Sequence, residues 1–481
     1  MPKETFEKAR QSTFIGRCHH QPNSENLPSH IIPNLTEPAS AEIIQLDQTG
    51  LRGKTDVKRL IGYITTLLLL ASMSLTAAQD AAATISPALE KQLQSIEAIT
   101  ERLRGLKLTQ PIVRQFPSRE EVTKYLTRSL EVQLNPEVTA RESAFYRAFN
   151  LLPAGTDLRQ VYQDFLTSPA GVGGFYDTDT KKMNVLLITG KKLGDALPTL
   201  EQVVYAHEYT HALQDQNFKL SDILKKEEDS PDNPDRALAI LSLIEGDATV
   251  SMTLYLQDLM QKNPLAAVGM LVQGAQAGAF TIPDKTPPFL VSELTFPYES
   301  GMSFVLALYR DGGWARVNEA FSKLPESTEQ ILHPPKYLAD EKPVVVKLKP
   351  DSGLSADWKL AAERTLGEFY LTAYLRTQLS ISQSETASAG WGGDTYRLYT
   401  RADKNKVAFI LRLAWDTPAD ATEFTDNFKN FGAARFKDGQ QSGDCWSNAS
   451  EALCYAPAAD GTLVASAPTL ELAQQLLANQ K

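Results

Sequence analysis

Between Pro87 and Leu166 apolar residues recur at helical spacing. Ser118-Arg119-Glu120-Glu121 has the form of a capping box, with Val122, Tyr125 and Leu126 following on one helical face. The pattern then changes. A glycine-rich stretch, 171–174, precedes Phe175-Tyr176-Asp177, a polar turn at 178–180 and an apolar run from Met183 to Ile188, which predicts a β-hairpin. A helix is expected after Pro198. A second starts where Asn233 can cap, Pro234 suits the first turn and Asp235 favours the dipole, and it runs to about Leu259. Residues 264–280 are apolar but interrupted by glycine and too short for a membrane span. Loops and helices are expected over 281–345.

From Val346 the character shifts. The pattern predicts a helix near Trp358 to Leu379, then strands at Tyr396–Thr400 and Val407–Trp415 and a helix over Asp420–Phe436. Strands at Ala452–Ala456 and Thr462–Ala467 and a helix at Leu470–Ala478 complete it. The expected class is α+β: a mainly helical unit over 79–345 with a small hairpin, then a small α+β module over 346–481.

The first residues read differently. Residues 1–56 carry no helical or strand period, so no fold is assigned to them. Lys58-Arg59, an apolar run to Leu75 and the small residues Thr76, Ala77 and Ala78 have the order of a signal peptide, assigned to 57–78. A signal peptide belongs at the start of a chain, so translation is expected to begin at Val57. The protein is then exported, periplasmic or secreted, with membrane attachment only if the segment stays as an anchor. Cysteine usage agrees with export. Cys18 lies in the leader, and Cys445 and Cys454 are expected to form one local disulfide.

With 481 residues the chain is too long for one small core, and its net charge of −10 excludes a phosphate-binding surface for nucleic acid. The informative chemistry is His207-Glu208-Tyr209-Thr210-His211. Residues four apart share one helical face, so both imidazoles point the same way, with Glu208 beside them. Such a pair binds zinc, and the adjacent carboxylate is placed to take a proton from a metal-activated water. A catalytic zinc needs a third protein ligand. Glu245 is the candidate, because it interrupts the apolar run of a well-formed helix, where a buried acid requires a partner or a metal. Gly246 beside it permits close helix approach. Asp247 is the rival, nearly opposite on the helix.

The motif with its downstream Glu245-Gly246-Asp247-Ala248 resembles the gluzincin branch of the zincin metallopeptidases, which includes thermolysin. The stretches HEYTHALQDQ, EGDA and STEQILHP also resemble exported bacterial proteins of this type. The resemblance implies zinc held by His207, His211 and Glu245, Glu208 as general base, and a peptide or protein substrate. It further implies a substrate strand laid along a hairpin edge, for which Met183 to Ile188 is the candidate. Thermolysin-like enzymes place an Asp four residues after the ligand Glu to orient a His. Thr249 stands there, leaving the support of the ligands open. For oxyanion stabilisation the chain offers His333 and Tyr337. The expected activity is zinc-dependent peptide hydrolysis, with a catalytically silent zinc-bound scaffold or binding protein as the alternative. An intact Glu208 favours the enzyme.

Overall fold

The computed structural model describes residues 85–481 except 190–191, 229–232, 280, 352–353, 402–405 and 460. The signal-peptide and start-site readings therefore lie outside the described residues. Four of the helices in the first part of the described residues position the site. The first, Pro87–Arg104, starts where the Ser86 hydroxyl accepts the Leu89 amide and stops at Gly105, whose φ of 74° favours glycine. Its Leu89, Leu93, Ile96, Thr100 and Arg104 form a buried stripe. The motif helix, Thr199–Phe218, is buried from Leu200 almost continuously to Asp215. The third, Pro234–Lys262, is capped by Asn233 through the Arg236 amide at 3.0 Å. It is long and apolar enough to cross a membrane, but 78% of its apolar window is buried in the protein, as in a core helix. The fourth, Pro288–Ala320, kinks at Gly312-Gly313.

The third and fourth of these helices meet at glycine. A Cβ on Gly246 would lie 2.3 Å from Gly301 backbone atoms, and one on Gly301 would lie 2.1 Å from the Ser242 carbonyl oxygen. Neither position accepts a side chain, so the backbones touch there. The close approach expected of Gly246 is the one observed.

Beside the motif helix lies a three-stranded sheet of β1 (Val113–Gln115), β2 (Gly174–Asp177) and β3 (Lys182–Val185), in the order β1-β3-β2. The predicted hairpin is present, but β1 pairs parallel with β3, so β3 is central and the edge beside the motif helix belongs to β2. The edge expected at Met183–Ile188 is corrected accordingly: a three-residue strand some seventy positions upstream covers it, and nothing local in the sequence announces that pairing.

The second sheet has seven antiparallel strands in the order β4-β5-β6-β10-β9-β8-β7. They are β4 (Trp358–Arg364), β5 (Trp391–Arg401), β6 (Val407–Trp415), β7 (Gln440–Ser442), β8 (Cys445–Ser447), β9 (Ala452–Ala458) and β10 (Gly461–Ala467). Residues 358–364 were expected to be helical. They form β4 because pairing with β5 overrides the helix preference of Leu, Ala, Glu and Arg; the helix begins only at Gly367. The period of two is visible in the packing. Phe409, Leu411 and Leu413 of β6 face one core with Leu453, Tyr455 and Val464, while Ala408, Ile410, Cys454, Leu463 and Ala465 face the other beneath the helix Leu470–Gln480. Cys445 and Cys454 are directly opposite on β8 and β9 and are joined. The first of these cores runs from Ala144 to Val464, so sheet and helices share it across position 345. The α+β class is the one observed.

Candidate metal centre

The motif helix puts His207 and His211 one turn apart, ring centroids 4.7 Å from each other, and the helix Pro234–Lys262 delivers Glu245 to the same point. All three are buried, and one ligand atom from each lies within 4.8 Å of the others. The His207 and His211 Nε2 atoms are 3.1 Å apart, and the Glu245 carboxylate lies 3.2 Å from the first and 3.6 Å from the second. Three ligand atoms at ~2.1 Å from a tetrahedral zinc would sit ~3.4 Å from each other, so the donor set and its spacing fit that ion. Burial pushes the Glu245 carboxyl up, but the His211 charge and the imidazole hydrogen bonds outweigh it and hold it at about 2. Burial pulls the His207 ring down.

Glu208 is buried beside the triad without belonging to it. Burial pushes its carboxyl up to about 8, against the pull of the His211 charge and the Tyr176 amide hydrogen bond. That amide has a structural origin. Leu186 N–H donates to the Gly173 carbonyl, so by strand alternation Gly174 and Tyr176 turn their backbone groups to the outer edge of β2. A Cβ on Gly174 would lie 2.8 Å from Glu208 Cγ, so glycine lets the strand run against the acid. Asp215, at the end of the motif helix, accepts the Tyr176 hydroxyl at 2.9 Å and the Lys181 ammonium at 2.7 Å, which fixes the hairpin over the helix.

Asp247 does not join the triad. Its carboxylate contacts the Arg104 guanidinium at 2.6 Å, both side chains fully buried, and accepts the Gln214 amide at 2.9 Å. Tyr298, from the helix Pro288–Ala320, stacks its ring on His207 with centroids 6.2 Å apart. Sequence reasoning did not single out Gln214, Arg104 or Tyr298. Gln214 stands three positions after His211, a helical neighbour, and could have been found; no spacing marks the other two.

The structure does not bring His333 or Tyr337 to this centre. His333 Nε2 is 2.9 Å from the Glu368 carboxylate, and that hydrogen bond raises its pKa against the effect of burial. Neither residue belongs to the cluster of His207, His211 and Glu245. The Tyr337 hydroxyl donates to the Lys323 carbonyl at 2.7 Å. The STEQILHP stretch instead joins parts of the fold. Thr328 donates to Asp235 at the start of the helix Pro234–Lys262, and Lys336 binds Glu329 at 2.6 Å and Asp416.

Residues 358–477 match a family described as Domain of unknown function (DUF8575). No curated protein matches the chain. A solved structure described as "a putative hydrolase with a novel fold from Chloroflexus aurantiacus" is 18% identical, with 59% of this chain and 96% of that one covered. Its TM-score is 0.33, too low a likeness to carry a conclusion about fold or activity.

Proposed function

We propose that the protein is an exported zinc metallopeptidase of the gluzincin type, with His207, His211 and Glu245 as metal ligands and Glu208 as general base. The observation that carries this reading is the buried convergence of two imidazoles and one carboxylate with an independent buried acid beside them. A zinc ion there supplies Lewis acidity to the water and scissile carbonyl that meet at the site. Glu208, buried beside the three ligands without being one of them, is placed to take the proton of the attacking water and hand it to the leaving amine. The outer edge of β2 runs beside Glu208, so an extended substrate strand pairs there rather than along β3. Export is supported by the Cys445–Cys454 disulfide.

Metal analysis of the purified chain, with peptide-library cleavage before and after chelation, tests the proposal. The expected result is one zinc per chain and cleavage abolished by chelator and restored by zinc. Zinc binding without cleavage of any peptide, in parent and Glu208→Gln alike, would support the scaffold instead.

A further inference from the structure

The two histidines of the centre are supported unequally. His207 Nδ1 has no hydrogen-bond partner among the described residues, and its ring rests on Tyr298. His211 Nδ1 lies 2.9 Å from Gln214 Oε1. Gln214 is fully buried, and its amide nitrogen donates to the Ile244 carbonyl and to Asp247 Oδ2, each at 2.9 Å. A carbonyl and a carboxylate both require a donor, so the amide has one allowed orientation, with Oε1 towards His211. An acceptor at that place requires hydrogen on Nδ1, so the neutral ring, the form that binds a metal, carries its lone pair on Nε2, the atom facing Glu245 and His207. Asp247 is in turn held by Arg104, whose guanidinium lies 4.3 Å over the Trp314 ring. Trp314 itself donates to the Leu103 carbonyl at 2.9 Å.

We infer that Gln214 is the positioning residue for His211, and that the buried pair Asp247–Arg104 holds Gln214 in the one orientation that fixes the imidazole tautomer for metal binding. The inference rests on the metal-centre reading above. A carboxylate in contact with a ligand imidazole makes it a stronger electron donor. Here the contact is a neutral amide, and the carboxylate stands one step back with its charge balanced by Arg104. Thr249 Oγ1 is buried without a hydrogen-bond partner among the described residues. The arrangement also makes the first helix part of the centre, because Arg104 is the last residue of Pro87–Arg104.

The experiment compares the full chain with Gln214→Leu, Gln214→Glu and Asp247→Asn. It reads zinc affinity by chelator competition, the visible spectrum of the cobalt-substituted protein, and the His211 tautomer from nitrogen chemical shifts of histidine-labelled protein. Circular dichroism and the melting temperature of each metal-free protein report folding. In the parent, His211 is expected as the Nδ1–H tautomer. Gln214→Leu removes the acceptor and is expected to weaken zinc ~10–100-fold, shift the cobalt spectrum and mix the tautomers. Gln214→Glu keeps an acceptor of the same length towards Nδ1 but loses the donor to Ile244 and Asp247, and is expected to keep the Nδ1–H tautomer at a lower melting temperature. Asp247→Asn replaces a pure acceptor by a group that can also donate, leaving the Ile244 carbonyl as the one fixed acceptor of the Gln214 amide, and is expected to mix the tautomers partly with a smaller loss of affinity. A folded Gln214→Leu protein with parental zinc affinity and a single His211 tautomer overturns the inference while leaving the metal centre intact. If Gln214→Leu does not fold, unchanged tautomer and affinity in Asp247→Asn overturn it. A parent chain that folds but binds no zinc overturns the metal centre itself and the relay with it.

Discussion

Among the described residues, three potential ligands converge at two places. At the first place they are His207, His211 and Glu245; at the second they are Glu329, Glu341 and Asp416. The first set is fully buried, and among the described residues no lysine or arginine reaches it. The second set already holds a cation, the Lys336 ammonium, which lies 2.6 Å from Glu329, 3.0 Å from Glu341 and against Asp416. Two neutral imidazoles and a carboxylate carry one negative charge and suit a borderline metal; three carboxylates around a lysine make a closed ion cluster. Proximity of acidic groups therefore says little until the charge already present is counted. Arg104 instead contacts Asp247, two positions along the helix from Glu245.

The largest expected effect separates chemistry from binding within the first cluster. Glu208→Gln keeps shape and metal, and peptide cleavage is expected to fall by about 10²–10⁴-fold. His207→Ala is expected to lose metal and activity together. Zinc content, melting temperature and cleavage rate on the same preparations decide it, and parental activity in Glu208→Gln would end the proposed mechanism. Next comes the choice of acid. Glu245→Ala is expected to strip the zinc, while Asp247→Ala is expected to weaken it by a smaller factor. The reverse order in metal analysis would show that the structure's first cluster has been misread.

The second cluster is sharpened by emptying it. Lys336→Met leaves three carboxylates without their cation and is expected to cost about 2–3 kcal/mol, less than a fully buried pair because Lys336 and Glu341 are partly exposed. Millimolar calcium is expected to raise the melting temperature of that variant and not of the parent. Equal calcium response in both would remove the distinction between the clusters.

A third buried acid offers a case with neither metal nor cation. Glu293 accepts the hydroxyls of Tyr146, Tyr162 and Tyr370, and burial still raises its pKa from 4.5 to about 7. The folded state then holds a proton that the unfolded state releases between those values, so stability falls as pH rises from 4.5 to 7. Denaturant titration over this range is expected to show a shallower fall for Glu293→Gln. Parallel curves would mean that Glu293 is ionised throughout. The smallest effect concerns Cys445 and Cys454. Non-reducing peptide mapping is expected to find them linked, and replacing both by serine is expected to cost at most about 2–3 kcal/mol, since the β8–β9 pairing already closes the loop.

Much of this site could be read without coordinates. The four-residue spacing of His207 and His211 and the acid between them are properties of one helix, and local geometry alone aligns them. Glu245 was legible because a lone acid in an apolar helical run has few stable fates. Local capping was legible for the same reason, at Ser118 and at Asn233. What failed was pairing between distant segments. The edge of the small sheet depends on β1, and Trp358–Arg364 became a strand because β5 lay beside it, against its own preference for helix. His333 offered a donor by residue type alone, and its ring instead contacts Glu368.

The sequence by itself determined the elements and the donor types, because capping, periodicity and helical spacing act within a few residues. Only the tertiary structure decided which donors meet. Asp247 and Glu245 are two residues apart on one helix and of similar chemistry. Their roles divide because the helix Pro234–Lys262 packs with Glu245 against the imidazoles and with Asp247 against Gln214 and Arg104. Such a choice depends on sub-ångström packing between segments far apart in the chain, where no local preference reaches.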